Sequence, residues 1–452
     1  MSVHQHDFTK GHILKQLIAF STPVLLANLL QTSYQFVDSL WIGNLLGADA
    51  LGAVSISSVI VFTVLSFVIG MNNAALTILS QQKGLHHEAG LIRYLNAFVV
   101  ILFILSMALG VTGFLLSEQL LALMDTPASL LADARNYLQI NFLGMLFLFG
   151  YNFISTVLRA LGDSKTPMRF VLIAVVLNIV IDPLFISTFG WGIRGAAFAT
   201  IFSQGFAFLF GLFYVLKHRL APFTWPTLPK WTEVKLILNL GIPSGLQMSV
   251  ITAGSAAIMS VVTTFGGAIV GGFGAAQRMD SLVMLPAQAL GVSVSSMAGQ
   301  NIGRGNWNRV HRIARIGVLY NLLIMVTIAL VVVIFAEQAM TLFVREPDAV
   351  AFGKQYLRII ALCFPFLGIN FVLNGIVRAA GAMYQVLILN LISFWVLRYP
   401  LTALFAHFFN ETGIAIGMGS SFIISSMIAY AYFRYGKWRD KQLFKQEQQT
   451  TS

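Results

Sequence analysis

The acidic residues that lie within apolar runs are the side chains of this sequence best suited to chemistry. Asp38 and Asp182 each stand in such a run, and the amide Asn178 precedes Asp182 by one helical turn. Asp38 comes nine residues before the turn at Gly47, and Asp182 comes eight residues before the turn at Gly190. At 1.5 Å per helical residue, both carboxylates are predicted to lie roughly 12–14 Å from those turns. The spacing therefore predicts that they lie at one level of the protein.

A hydroxyl and a proline extend this set. Thr200 lies eight residues after Gly192 and is predicted to reach a similar depth, and Pro183 follows Asp182 directly. Because proline has no N–H group, Pro183 leaves a helix carbonyl without its usual donor. Oxygen-rich clusters of this kind bind a hard cation or share a proton. Two alternatives stay open: Asp38 caps a helix end or pairs with a basic residue, and Asp182 with Pro183 marks a kink.

Two carboxylates at one level also suggest how an ion and a substrate can be exchanged. A close pair in a cavity of low dielectric favours sharing a proton, whereas an ionised pair attracts a cation. A proton and a cationic substrate can then compete for the same negative charge. This competition gives antiport, provided that the empty carrier changes conformation slowly.

Three further charges, Arg278, Asp280 and Arg398, fall within or beside apolar runs. A charge in the middle of a membrane span costs about 2.5–3.5 kcal/mol on insertion scales. Arg278 and Asp280 are two residues apart, which puts them on different faces of a helix, so we expect each to pair across helices instead. A structural or gating role is favoured for Asp280 and Arg398, and Arg278 is also a candidate cavity residue.

The composition places these charges in an integral membrane protein. Hydrophobic residues make up 57% of the 452 residues and charged residues 10%, whereas soluble domains carry about 25% charged residues. Twelve apolar runs of about 20 residues predict an all-α fold of twelve transmembrane helices. The single cysteine, Cys363, excludes an internal disulfide framework. No phosphate loop, metal-ligand spacing or nucleophile motif is present, so we predict neither an enzyme nor a nucleic-acid-binding protein.

The basic residues predict the orientation in the membrane. With a cytoplasmic amino terminus, most of the 28 Lys and Arg residues fall in cytoplasmic segments, as the positive-inside rule requires. The apolar run from Ile13 to Leu30 lacks a following cleavage site and is expected to be a retained first helix. We therefore expect a multi-pass protein of a bacterial inner (plasma) membrane, surrounded by lipid, with both termini cytoplasmic and a disordered polar tail at 437–452.

An internal repeat divides the chain into two halves. Arg159-Ala-Leu-Gly recurs as Arg378-Ala-Ala-Gly at an offset of 219, and Pro23 recurs as Pro243 at an offset of 220. The repeat predicts two six-helix lobes related by a pseudo-twofold axis, at 1–220 and 235–436, joined by a cytoplasmic linker at 221–234. Transporters built in this way place the substrate between the repeats. The two Arg-Ala-x-Gly loops, with Pro23 and Pro183, are expected to serve structure or gating.

The motifs together resemble the multidrug and toxic compound extrusion (MATE) family, and most closely its DinF-like branch. The stretches that carry the resemblance are Pro23, Gln31 through Val37-Asp38-Ser39, the turn Gly43–Gly47, Arg159 through Asp163, Gln277-Arg278, and Gly299 through Gly303. The resemblance implies a V-shaped arrangement of two lobes around a central cavity. It also implies that a drug or another organic cation leaves as protons or sodium ions enter.

The resemblance assigns expected roles to individual residues. The cation or proton site of the first lobe falls on four of them, namely Asp38, Asn178, Asp182 and Thr200. Candidate cavity residues are Gln31, Tyr34, Asn152 and Arg278, although ordinary interhelical hydrogen bonding explains Tyr34 and Asn152 equally well.

The second half departs from the family pattern. Ala257 or Ile258 stands where the repeat would place Asp38, and Tyr399-Pro400, preceded by Arg398, stands where it would place Asp182-Pro183. The acidic sodium site that the NorM-like branch has in its second lobe is therefore not expected here. Protons are favoured as the coupling ion, with sodium bound in the first lobe as the alternative.

The predicted function is a secondary antiporter that exports organic cations or other amphipathic compounds, acting as a monomer without a cofactor beyond its coupling ion. The competing prediction is a flippase of lipid-linked oligosaccharides with a related fold. A flippase for pyrophosphate lipids should line its cavity with Arg and Lys, whereas this chain carries acids in its first half. A receptor or channel is disfavoured by the repeat.

Overall fold

The computed structural model describes residues 6–444, and these residues form helices joined by short connections, with no strand in that range. The first part of the described chain contains eight α-helices: α1 (Ile13–Leu46), α2 (Ala48–Leu85), α3 (Glu88–Leu123), α4 (Ala128–Leu143), α5 (Met145–Ala160), α6 (Lys165–Pro183), α7 (Gly192–His218) and α8 (Trp231–Val262). Seven follow: α9 (Gly267–Gly303), α10 (Trp307–Thr341), α11 (Pro347–Ala361), α12 (Phe364–Ala379), α13 (Met383–Leu391), α14 (Tyr399–Phe409) and α15 (Thr412–Tyr435).

Within residues 6–444, ten helical segments are long and apolar enough to cross a bilayer, and two bent helix pairs bring the number of candidate spans to twelve. The bent pairs are α4 with α5, at 50°, and α11 with α12, at 52°. The predicted count of twelve is confirmed. These two spans are bent because the helices break at Gly144 and at Leu362–Cys363.

The backbone itself repeats between the two halves. Gly47 and Gly266 begin helices with nearly identical angles, φ 89° and ψ −175° against φ 92° and ψ 173°. Gly162 and Gly381 both end the Arg-Ala-x-Gly turns with φ near +90°, a region that favours glycine. Both pairs are separated by 219 residues, the offset found in the sequence. The duplication is therefore a property of the chain's conformation as well as of its motifs.

The described residues form two compact units, and the first consists of His6 and Leu26–Gly241. Small residues form the buried face of α7, and they allow neighbouring helices to approach closely. They recur at helical spacing: Ala196, Ala199, Ser203, Ala207 and Gly211. The opposite face of α7 is exposed and aromatic, with Phe198, Phe202, Phe206 and Phe213. This division is that of a helix with one side packed in protein and the other in lipid.

The second unit consists of Asp7–Leu25 and the described residues from Ile242 onward. Its most buried span is α9, which packs closely on α12 at two glycines, because a Cβ on Gly375 would come within 2.5 Å of the carbonyl oxygen of Gly291. The unit boundaries fall within two helices, after Leu25 in α1 and after Gly241 in α8. They do not fall in the predicted linker at 221–234. Each of these helices is long enough for its first turns to pack in one unit and the rest in the other.

The carboxyl-terminal segment up to Phe444 is folded onto the second unit. Trp438 is 0% exposed, donates its indole N–H to the carbonyl of Phe433 at 2.8 Å and contacts the ring of Trp307 at 5.8 Å between centroids. The side chain of Gln442 donates to the carbonyl of Ile302 at 3.0 Å. The prediction of a disordered tail is therefore wrong for 437–444, where aromatic burial outweighs the polar composition, and its remainder, 445–452, lies outside the described residues.

Candidate functional site

Asp38 and Asp182 meet inside the first unit. Asp38 lies on α1 and is 9% exposed, whereas Asp182 lies near the end of α6 and is 0% exposed. Their carboxyl groups lie close enough to act on each other electrostatically. One oxygen of each group, Asp38 Oδ1 and Asp182 Oδ2, is buried and accepts no hydrogen bond from the described residues. Because a buried acceptor without a donor is costly, the pair is well suited to take up a proton or a cation.

Local structure around Pro183 presents Asp182 to this pair. The Asn178 side chain, one turn earlier on α6, donates to Asp182 Oδ1 at 3.3 Å. Leu184–Thr188, directly after Pro183, form a π-helical turn, a distortion often found at functional sites. The helix considered as kinked in the alternative for Asp182 is thus distorted by a π-helical turn, and this distortion accompanies the carboxylate cluster rather than replacing it.

A hydroxyl pair links α1 and α7 beside the carboxylates. Tyr34 lies one turn before Asp38, and its hydroxyl forms a hydrogen bond of 3.2 Å with Oγ1 of Thr200. Thr200 belongs to the buried, small-residue face of α7. Tyr34 also interacts electrostatically with both Asp38 and Asp182. Asp38, Asp182 and Thr200 therefore lie close together, as the residue counts from the glycine turns predicted.

Tyr137 completes the cluster and was not predicted to belong to it. It is buried on α4, and the charges of Asp38 and Asp182 both act on its phenol. The sequence feature that could have identified Tyr137 is the internal repeat, because Tyr137-Leu138 recurs as Tyr356-Leu357 at the offset of 219.

The other candidates in the first unit make different contacts. The Gln31 side chain lies close to the phenol of Tyr151, on which the charge of Arg159 also acts. Asn152 donates to the carbonyl of Leu148 in its own helix, at 2.8 Å, and so joins no side chain of the carboxylate cluster. Their predicted roles at the cavity and in gating stay predictions.

In the second unit, Asp280 of α9 contacts another helix, as predicted, through Tyr356 of α11. Tyr356 donates its hydroxyl to Asp280 Oδ2 at 2.9 Å, and Arg398 interacts electrostatically with both of them. Arg278 is exposed instead, and its guanidinium lies 5.9 Å from the ring centroid of Phe343. The two neighbouring charges on α9 thus face different surroundings, as their spacing predicted.

Two residues that were predicted to serve structure or gating, Pro23 and Arg378, lie within helices of the second unit. Pro23 is buried inside α1, within its part that belongs to the second unit, and Arg378 lies in the last turn of α12. Within residues 6–444, no group of three or more His, Cys, Asp or Glu side chains is arranged to hold a metal ion.

Comparisons with known proteins agree with this geometry. The MatE family model matches residues 23–184 and 243–404, one match in each half of the repeat. The chain is 62% identical over 442 residues to a probable multidrug resistance protein, YpnP of Bacillus subtilis, covering 98% of this chain and 99% of YpnP. It is 28% identical to a second such protein of that organism, YoeA, over 96% of each chain. Both relatives are named as resistance proteins rather than enzymes, in agreement with the prediction.

Solved structures show the same fold. A crystal structure of a point mutant of the Vibrio cholerae MATE transporter VcmN matches 95% of this chain and 98% of its own with a TM-score of 0.90. The sequence identity across that match is 24%. The family resemblance found in the motifs is confirmed by the paired family matches, by the 62% identical relative and by the fold. The chain belongs to the MatE family.

Proposed function

We propose that the chain is a cation-coupled multidrug exporter, in which Asp38 and Asp182 exchange a coupling ion for an organic cation. The observation that carries this proposal is the buried carboxylate pair. No Lys or Arg side chain acts on either carboxylate among the described residues. An exchangeable positive charge can therefore balance the pair, whereas a fixed ion pair could not release its partner.

Protons are the preferred coupling ion. Asp38 and Asp182 act on each other, and one shared proton stabilises two close carboxylates directly. Sodium, coordinated by these carboxylates with the Asn178 and Thr200 oxygens, is the alternative. The relatives' names as multidrug resistance proteins support export of varied compounds. The plasma membrane, cytoplasmic termini and a monomeric state complete the proposal.

Transport in proteoliposomes tests it. Vesicles are loaded with ethidium, a proton or sodium gradient is imposed, and dye movement by the wild-type protein is compared with that by Asp38→Asn. We expect Asp38→Asn to lose gradient-driven transport because a neutral amide cannot carry the exchanged charge. Asp125→Asn is the matched control, since Asp125 is exposed in a turn with φ 49°, a conformation that Asn tolerates.

Two outcomes would contradict the proposal. Transport at the wild-type rate by Asp38→Asn would show that this carboxylate does not couple the ion. Failure of cationic dyes to move under either gradient would favour the flippase, which is then assayed with a fluorescent lipid-linked sugar. A pH titration of dye efflux at fixed sodium concentration separates protons from sodium.

A further inference from the structure

A long apolar groove runs along the exposed face of α7 in the first unit. Its volume is about 1060 Å³, at the upper end of the roughly 300–1,000 Å³ of small-molecule pockets. Aromatic rings from α5, from the π-helical turn and from the start and middle of α7 form its walls: Phe147, Phe185, Trp191, Phe198, Phe202 and Phe206. The groove therefore belongs to the aromatic side of α7, which is the side suited to lipid.

The length of the groove suits a lipid chain. Arg194 and Leu209 both line it and are 15 residues apart on α7, which corresponds to about 22 Å along the helix. One leaflet of a bilayer has a hydrocarbon depth of about 15 Å, half of a core of about 30 Å. An acyl chain whose headgroup lies beside Arg194 can thus stay in the groove through the whole depth of its leaflet.

A positive charge without a protein partner marks one end of the groove. Arg194 is exposed, and among residues 6–444 its side chain has no ion pair and no hydrogen bond. The first turn of α7 contains no acidic residue and its start has no side-chain cap, so the positive end of the helix dipole adds to this charge. Arg135, another exposed arginine of this unit, is paired instead with Glu118 at 3.0 Å.

The surroundings of Arg194 favour an anionic headgroup. The predicted orientation puts the start of α7 at the outer face of the membrane, where the positive-inside rule disfavours basic residues. A guanidinium binds a phosphate through two parallel hydrogen bonds. A zwitterionic phospholipid also has a phosphate, but its own ammonium group competes with Arg194 for it. An anionic phospholipid has no such internal competitor.

We propose that the groove along α7 binds an anionic phospholipid, with the phosphate on Arg194 and one acyl chain against the aromatic rings. The chain removes the exposed rings from contact with mobile lipid, and the phosphate balances the charge at the end of the groove. The site is separate from the carboxylate cluster, because the carboxylates and Thr200 belong to the buried side of the unit, whereas the groove lies on its exposed side.

Trp191 provides a direct readout, because it lines the groove and is half-exposed. The full chain is reconstituted in vesicles that contain phosphatidylglycerol or phosphatidylcholine brominated near the headgroup end of the acyl chains, since bromine quenches a tryptophan that it contacts. The chain has seven tryptophans, so each protein is measured beside its Trp191→Phe counterpart and the difference is assigned to Trp191. At equal mole fractions, we expect phosphatidylglycerol to bind about fivefold more strongly, the effect of one arginine near an anionic lipid.

Three variants separate the headgroup contact from the chain contact. Arg194→Gln should lower the preference for phosphatidylglycerol to about onefold and leave quenching by phosphatidylcholine unchanged, because the aromatic walls remain. Arg194→Lys should keep most of the preference, since it keeps the charge. Arg135→Gln is the matched control and should keep the wild-type preference, because Glu118 already pairs with that arginine. Both arginines are exposed, so we expect these variants to fold.

The proposal is overturned if both lipids quench wild-type Trp191 equally, or if Arg194→Gln retains the preference. Loss of the preference in Arg135→Gln as well would also overturn it, because diffuse surface charge would then explain the selectivity. If neither lipid quenches Trp191, another occupant such as a second copy of the chain covers the groove, and the lipid site is refuted. Quenching needs no ion gradient, so the result is independent of the proposed exporter function.

Discussion

The hydrogen bond between Tyr34 and Thr200 offers a direct test of the site's geometry. It joins α1 to α7 at 3.2 Å beside the carboxylate pair. A hydrogen bond between neutral groups contributes about 0.5–1.5 kcal/mol net, or roughly 2–13-fold in an equilibrium constant. Tyr34→Phe and Thr200→Val each remove one partner while keeping the approximate shape of the side chain.

A double-mutant cycle isolates that interaction. The free energy of unfolding is measured by denaturant titration in detergent for the wild type, both single variants and the double variant. We expect the effects of the two substitutions to be non-additive by about 0.5–1.5 kcal/mol, since the second substitution removes a bond that is already lost. Half-saturation of ion-driven dye transport should shift in the same non-additive way.

The control pairs Tyr34→Phe with Thr327→Val, whose hydroxyl is exposed and bonds only the Leu323 carbonyl at 2.8 Å. These two effects should add within about 0.5 kcal/mol. Additivity for Tyr34 and Thr200 as well would refute the reasoning, because the two hydroxyls would then not depend on each other.

Two further predictions concern stability outside the carboxylate cluster. Trp438→Ala should lower the free energy of unfolding by about 3–5 kcal/mol because it empties a fully buried aromatic site. Deletion of 445–452 is the control. An effect of Trp438→Ala below about 1 kcal/mol would contradict the packing of this segment. Glu233→Ala should cost about 1–2 kcal/mol, since Glu233 accepts the Lys230 amide at 2.9 Å at the start of α8. Glu233→Gln keeps that acceptor and loses only the ion pair with the half-exposed Arg93, so an equal loss of melting temperature in both variants would contradict the capping role.

The sequence predicted the carboxylate cluster well because distance along a helix is readable from residue counts. Asp38 and Asp182 were each counted from a glycine turn, and most of the chain over each count is helical, in α1 for Asp38 and in the π-helical turn Leu184–Thr188 for Asp182. Tyr137 escaped prediction because it lies on α4, and the direction of α4 depends on the break at Gly144. Hydropathy shows one apolar run across that break and contains no information about a bend of 50°.

Pairing between distant residues was predicted less completely. The cost of burying Asp280 and Arg398 showed that each needs a partner, but Tyr356 and Ser421 could not be named because they lie far away in the chain. The folded segment at Trp438 was missed for a related reason. Its neighbours in sequence are polar, whereas the aromatic partners that bury it lie on α10 and at the end of α15.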